Sequence, residues 1–315
     1  MLETNNSTDG EIQMKTYQEL VCSSYFIGGL QKQSIHLAVV NMILSLTAFL
    51  GYSLILVALH KESSLHPPSK LLYSCLAITD LLVGLITQPL YAIHRMSTAF
   101  EHWNLCRYTG GAVSVTSYAL CGVSFLTMTA ISVDRLLALL LGLSYKQIVT
   151  LKRSYIFLAV VWVSSGAVAL CYILDHPISL WYMYFMTPSC LVILLVSYSK
   201  IFRTLSHHQA QVQDNVQQQA SQTNTLNIAR YRKALHSALW VLSALVVCST
   251  PSYLLEIVKN RKKTFSSDLV VIREIALTLL YFNSTLNPFL YCWKIREVRQ
   301  AVQQTIRRVL CCPWS

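Results

Sequence analysis

The chain has 315 residues, 54% hydrophobic and only 12% charged, with a mean hydropathy of +0.45. Soluble domains carry roughly 25% charged residues, so this composition excludes an ordinary water-soluble fold and points to a protein embedded in lipid. The 25 Lys and Arg against 14 Asp and Glu leave a formal charge of +11; where those cations fall favours a membrane-topology signal, with no nucleic-acid partner.

The first stretch, residues 1–35, is polar at its start and has no apolar signal-peptide core in its first residues. Its overlapping sequons, Asn5-Asn6-Ser7 and Asn6-Ser7-Thr8, make Asn5 and Asn6 candidate glycosylation sites on an extracellular segment. Seven runs follow that are long enough to cross roughly 30 Å of hydrocarbon at about 1.5 Å per residue. They lie near His36 to His60, Lys70 to His94, Trp103 to Leu141, Ser154 to Leu174, Ser179 to Leu205, Ala234 to Val258 and Leu269 to Trp293. The third is longer than a span requires, so its ends should project or tilt.

An odd number of spans separates the termini. With the N-terminus outside, most of the cations face the cytoplasm, from Lys61, Lys70 and Arg135 through Lys152, Arg203 and Lys233 to Arg307 and Arg308. That is the positive-inside arrangement of a multi-pass plasma-membrane protein. The run Lys259 to Lys263, "KNRKK", is an exception that this topology places outside. Between spans four and five only "DHPIS", Asp175 to Ser179, is left for a connection, and the longest internal loop, from Ser206 to about Tyr231, is rich in Gln and Asn. After span seven, in residues 294–315, Ile295, Val298, Val302, Ile306 and Val309 recur at helical steps among basic residues. This predicts a short amphipathic eighth helix on the membrane lipid surface. Cys311 and Cys312 directly after it are either palmitoylation sites or simple surface thiols. The predicted fold is thus an all-α membrane protein: an N-terminal segment (1–35), a seven-transmembrane-helix bundle (36–293), and helix eight with a short tail (294–315).

Cys22 and Cys106 are the two cysteines that this topology leaves outside, where the medium is oxidising, and they are a candidate disulfide. Within the spans, a charge costs on the order of 2.5 to 3.5 kcal/mol by insertion scales. Asp80, in "LAITDLLVGL", stands mid-span, and Ser124, Asn283, Ser284 and Asn287 are polar groups that could face it. Two readings stay open: polar glue between helices, or a hydrated cluster of oxygen ligands, centred on Asp80, for a small hard cation. Asp134 and Arg135, in "SVDRLLAL", lie near the cytoplasmic end of span three, where Arg135 is either a switch or a snorkelling cation. Pro251 and Pro288 interrupt backbone hydrogen bonding and mark bends in spans six and seven. The sequence carries no zinc-helix, nucleophile-elbow or phosphate-loop motif, and none of the internal repetition typical of transporters. It predicts no enzyme.

Together these residues resemble the rhodopsin-like, or class A, G-protein-coupled receptors over essentially the whole chain. "LAITD" resembles that family's second-helix motif, and "SFLTMTAISVDR" its third helix with the arginine switch at Arg135, Leu136 replacing the usual tyrosine. Trp162 and Tyr198 match the fourth-helix tryptophan and the fifth-helix tyrosine, and "NSTLNPFLY" matches the seventh-helix Asn-Pro-x-x-Tyr motif ending at Tyr291. The minimal "DHPIS" loop is similar to melanocortin receptors and the "YCWKIREVRQ" tail to adenosine receptors, placing the chain near the melanocortin, lysophospholipid, cannabinoid and adenosine grouping. The departures are informative. Tyr52 replaces an asparagine of helix one, Ser249 replaces the helix-six tryptophan, and "DHPIS" has no cysteine for the usual bridge to helix three. Ser117 stands where amine receptors carry an aspartate, Tyr281 where opsins carry a lysine, and Glu256 where adenosine receptors carry an asparagine.

The resemblance implies a receptor that binds an extracellular ligand and activates a heterotrimeric G protein. A seven-span scaffold or transporter is the alternative. It also implies an allosteric sodium ion held by Asp80, Ser124, Asn283 and Asn287, with no other cofactor. Asp134, Arg135, Tyr198, Pro251, Pro288 and Tyr291 become the activation switch and coupling site, and the candidate ligand pocket comprises Gln88, Ser114, Ser117, Tyr118, Cys121, Ser249, Ser252, Glu256 and Tyr281. Without the helix-six tryptophan or an acidic partner for Arg135 near Arg230 to Lys233, basal activity is expected.

Overall fold

The structure is a computed structural model that describes residues 21–23, 27–61, 65–174, 176–216, 243–258 and 267–294. Asn5, Asn6, Cys311, Cys312, the predicted eighth helix, the start of span six and the Lys259 to Lys263 run lie outside the described residues. So do the side chains of Asn287, Pro288 and Tyr291, although their backbone is helical.

Seven helices carry the described chain: α1 (Ile27–Lys61), α2 (Pro67–Ala99), α3 (Trp103–Leu141), α4 (Leu151–Leu174), α5 (His176–Val216), α6 (Ser243–Val258) and α7 (Ser267–Lys294). Six are long and apolar enough to cross a membrane, and α6 is a shorter apolar helix over its described residues. The architecture is an all-α, seven-helix bundle, and the described residues contain no strand.

The apolar pattern is that of a bundle in lipid. Val39, Ile43 and Leu50 of α1, Ile156, Val160 and Val163 of α4, and Phe185, Val192 and Val196 of α5 face outward and exposed. In water such faces would need covering; against acyl chains they do not. The inner faces form two apolar cores. One joins Tyr52, Ile55, Leu76, Val123, Met128, Leu158, Leu194 and Leu245 from six helices; the other, nearer the Trp103 end of α3, joins Val83, Tyr91, Val113, Leu120 and Tyr281.

α3 is the axis of the bundle and touches α2, α4 and α5, while α1 packs on α2 and α7. Its 39 residues give a rod of roughly 58 Å at 1.5 Å per residue, consistent with projecting ends. It stops at Gly142, whose φ of +49° suits a residue without a Cβ. The connection between α4 and α5 is even shorter than the sequence suggests: α5 already begins at His176, leaving only residue 175 between the helices. Pro188 lies inside α5.

Inside α2, residues Val83–Thr87 form one π turn, in which the Gln88 amide reaches back to the Val83 carbonyl. The cause is local. Pro89 has no N–H to give the preceding turn, and the Gly84 carbonyl instead accepts from Ser45 Oγ of α1 at 2.6 Å. A π turn adds a residue to the helix and rotates everything after it. Gly84 also permits close approach of α1, since a Cβ there would sit 2.8 Å from Ala48 Cβ.

Candidate functional site

Three polar sites follow one another along α3. The first is a cavity of 140 Å³ among α3, α4, α5, α6 and α7, lined from α3 by Ser114, Ser117, Tyr118 and Cys121, from α6 by Ser249, Ser252 and Glu256, and from α7 by Tyr281. Ser117 Oγ and the Tyr281 hydroxyl lie 2.7 Å apart, tying α3 to α7 across the floor. Tyr281 also packs edge-on against Tyr91, and Tyr118 packs at a tilt of 33° against Tyr172. Ser249, small where a tryptophan was expected by resemblance, donates to the Leu245 carbonyl at 2.6 Å. Ser252 donates to the Ser249 carbonyl at 2.9 Å, so both hydroxyls flank Pro251.

Gln88 is a correction. It does not line this cavity; it is fully buried toward α7, where its Nε2 lies 3.5 Å from Thr285 Oγ1. The resemblance implied a pocket position for it; the π turn before it rotates the rest of α2.

The cavity has a charged wall that sequence reasoning missed. Arg273 of α7 lines it beside Glu256, with Nε 3.5 Å from Glu256 Oε2, and its Nη1 donates to Glu274 Oε1 at 3.0 Å. Glu274 is buried behind, accepting from the Tyr91 hydroxyl at 2.8 Å and facing Arg95 Nη1 at 3.8 Å. Arg95 is the largest fully buried side chain among the described residues and donates to Ser34 Oγ of α1 at 2.6 Å. The signal was available: Arg273 and Glu274 lie inside the seventh predicted span. Arg95 lay one residue beyond the predicted end of span two, where a snorkelling cation is the ordinary expectation. Beside this cluster, Cys22 and Cys106 are joined as a disulfide, with Cα atoms 5.7 Å apart, and His94 Nδ1 lies 3.0 Å from the Cys106 carbonyl.

The second site surrounds Asp80, which is completely buried. Its Oδ1 accepts from Ser124 Oγ and from Ser284 Oγ, each at 2.9 Å. Its Oδ2 lies 2.7 Å from the Tyr52 hydroxyl, which also contacts the Ser284 carbonyl. Four helices therefore meet on one carboxylate, and Tyr52, which the sequence marked only as a departure, is a central member. Asn283 is buried on α7, makes no hydrogen bond to Asp80, and its Oδ1 has no hydrogen-bond partner. On α7 it is Ser284, the next residue around the helix, that turns toward the acid.

The third site is at the far end of α3. Asp134 is buried and accepts from Ser69 Oγ at 2.8 Å and from the Tyr145 hydroxyl at 2.5 Å. Tyr145, on the short helix Tyr145–Ile148, has its phenol pushed up to about 12, first by burial and then by its bond to Asp134. Arg135 points elsewhere, donating from Nε to the Tyr73 hydroxyl at 3.2 Å with its guanidinium 5.3 Å from the Tyr73 ring centre. Tyr198 is buried and accepts from Ser132 Oγ at 3.1 Å. Adjacent in sequence, Asp134 and Arg135 are thus held by different partners.

Residues 51–180 and 174–291 match the family described as 7 transmembrane receptor (rhodopsin family). The chain belongs to that family. It is a multi-pass membrane protein and a non-enzymatic signalling receptor of a family that couples to G proteins in response to extracellular ligands. Similar proteins include adenosine receptor A2b of Gallus gallus, 25% identical over 87% of this chain and 88% of that receptor. The histamine H2 receptor of Homo sapiens is 26% identical over 88% of this chain and 80% of that receptor. The 5-hydroxytryptamine receptor 1B of Vulpes vulpes is 23% identical over 86% of each.

Proposed function

We propose that the cavity bounded by Ser117, Tyr281 and Glu256 is the ligand site of a plasma-membrane receptor whose N-terminus is extracellular, and that the Arg135 end of α3 is its G-protein site. The observation that carries this reading is the succession along α3 of the cavity, Ser124 bonded to the buried Asp80 of α2, and Arg135. Ser117 and Arg135 are 18 positions apart, roughly 27 Å at 1.5 Å per residue, so a ligand signals to the cytoplasm by moving packed helices. Agonist would bind a state in which Arg135 has left Tyr73 and is rearranged with Tyr198 and Tyr291, and the equilibrium would follow that difference in affinity.

The names of the similar receptors carry adenosine, histamine and 5-hydroxytryptamine, which supports a small ligand here. The small cavity supports the same reading. The position that the resemblance assigns to an amine counter-ion is Ser117, which is engaged with Tyr281; this argues against a simple amine held there. Arg135→Ala in surface-expressed receptor is the test. G-protein nucleotide exchange should vanish with surface expression retained; unchanged exchange would overturn the reading in favour of a scaffold or transporter.

Sodium fits the donor set around Asp80: a carboxylate, the hydroxyl oxygens of Ser124 and Ser284, and the unpartnered amide oxygen of Asn283 nearby in sequence on the same helix. All are oxygens, as a hard cation requires. Asp80 and Ser124 would hold the ion, with Asn283 and Asn287 as further ligands, and the ion would supply positive charge that favours the inactive packing. Thermal stability of the receptor titrated with sodium against choline should show a sodium-specific gain that Asp80→Asn abolishes. An equal response in the two proteins rules the site out.

A further inference from the structure

We propose that the ligand is a compact zwitterion, its ammonium taken by Glu256 and its carboxylate by Arg273, with an aromatic or apolar body extending into the cavity that both line. The assignment rests on the cavity being the ligand site and adds the chemical class.

Glu256 and Arg273 are opposite charges that line one cavity and face each other at 3.5 Å. That is longer than the 2.7–2.9 Å of a well-made charge-assisted hydrogen bond, and both side chains are mostly buried, 10% and 20% exposed. A loose pair at a cavity wall is one into which a ligand can insert. An ammonium against Glu256 and a carboxylate on the planar fork of Arg273 would each make a short charge-assisted bond where the pair itself makes a long one.

Arg273 is also fixed from behind, because its Nη1 is held by Glu274, itself bonded to Tyr91; a pre-set guanidinium loses little freedom on binding.

The body of the ligand is set by the remaining lining. Phe125, Tyr118, Tyr172, Tyr182 and Tyr253 present aromatic rings and Met183 a polarizable thioether. The 140 Å³ volume falls below the roughly 300–1,000 Å³ usual for drug-sized ligands, which limits the body to about the size of one amino acid.

The test uses full-length receptor in lipid nanodiscs and matched probes that differ by one charge: L-phenylalanine, phenethylamine and 3-phenylpropionate. The other L-amino acids are run beside their decarboxylated and deaminated counterparts. Thermal stabilisation should occur at a roughly tenfold or more lower concentration for at least one amino acid than for both of its singly charged counterparts. Glu256→Gln should abolish its advantage over the acid, and Arg273→Gln its advantage over the amine. If every singly charged probe performs as well as its zwitterion, or no probe stabilises the parent receptor, the proposal is overturned. G-protein exchange on the same samples separates the two readings. A preferred zwitterion that never alters exchange upholds the ligand class and sinks the receptor role of the cavity; basal exchange lost with Arg135→Ala but no zwitterion preference does the reverse.

Discussion

Tyr52 shows how one side chain can redefine a polar centre. Its hydroxyl touches both Asp80 Oδ2 and the Ser284 carbonyl, bringing α1 into a cluster otherwise made by α2, α3 and α7. Tyr52 and Asp80 are both completely buried, so removing the hydroxyl leaves acceptors that water cannot reach. Tyr52→Phe should cost about 1–3 kcal/mol, read as a melting temperature lower by several degrees in detergent. In Asp80→Asn the same change should cost less, because the two residues share one network; equal losses in both backgrounds would mean the contact contributes nothing. From the sequence, Asp80 could be marked as a charge inside an apolar span, with Ser124 and Ser284 among the polar groups able to face it. Tyr52 could be seen only as a departure, since spacing along α1 does not report how far a phenol reaches into a neighbouring helix. The Arg95, Arg273 and Glu274 cluster escaped for a related reason: each charge alone resembles an end-of-span residue, and only packing shows that they meet.

Within α2, the π turn is the element on which the upper bundle is registered. Ser45 supplies the proton that Pro89 lacks, and Gly84 lets α1 lie close. Gly84→Ala would place a methyl 2.8 Å from Ala48 Cβ, and overpacking of this kind costs about 1–3 kcal/mol. The melting temperature should fall, and adding Ala48→Gly should restore most of it by removing the opposing atom. A double variant no more stable than Gly84→Ala would show that close approach is not the reason for glycine. Helices were the most legible level of this chain, because runs of apolar residues announce their own length: the third predicted span and α3 share both ends, Trp103 and Leu141. The local change of period was not legible from hydropathy. Pro89 alone does not announce it, since a proline also suits an ordinary kink, and the pocket position that the resemblance implied for Gln88 took no account of it.

At the scale of the whole molecule, the described bonds at the Arg135 end hold α3 through two adjacent residues. Asp134 ties it to Ser69 of α2 and to Tyr145 of the connection beyond α3, while Arg135 rests on Tyr73. A receptor that opens this face must give up some of these bonds, so weakening one of them shifts the population toward the open state. Tyr145→Phe removes a hydroxyl bonded to a buried carboxylate at 2.5 Å, and a bond to a charged group is worth about 1.5–3 kcal/mol. Since about 1.4 kcal/mol is a tenfold change in an equilibrium constant, basal G-protein exchange should rise by roughly an order of magnitude without ligand. The contact will not report pH in the neutral range. With the phenol raised to about 12, its contribution is complete below the ordinary tyrosine value near 10 and fades only as pH climbs through the raised one. Tyr145→Phe should therefore raise basal exchange equally at pH 6 and pH 8, measured as nucleotide turnover per surface-expressed receptor. Unchanged or lowered exchange would show that Tyr145 steadies the α3 connection equally in both states and biases neither.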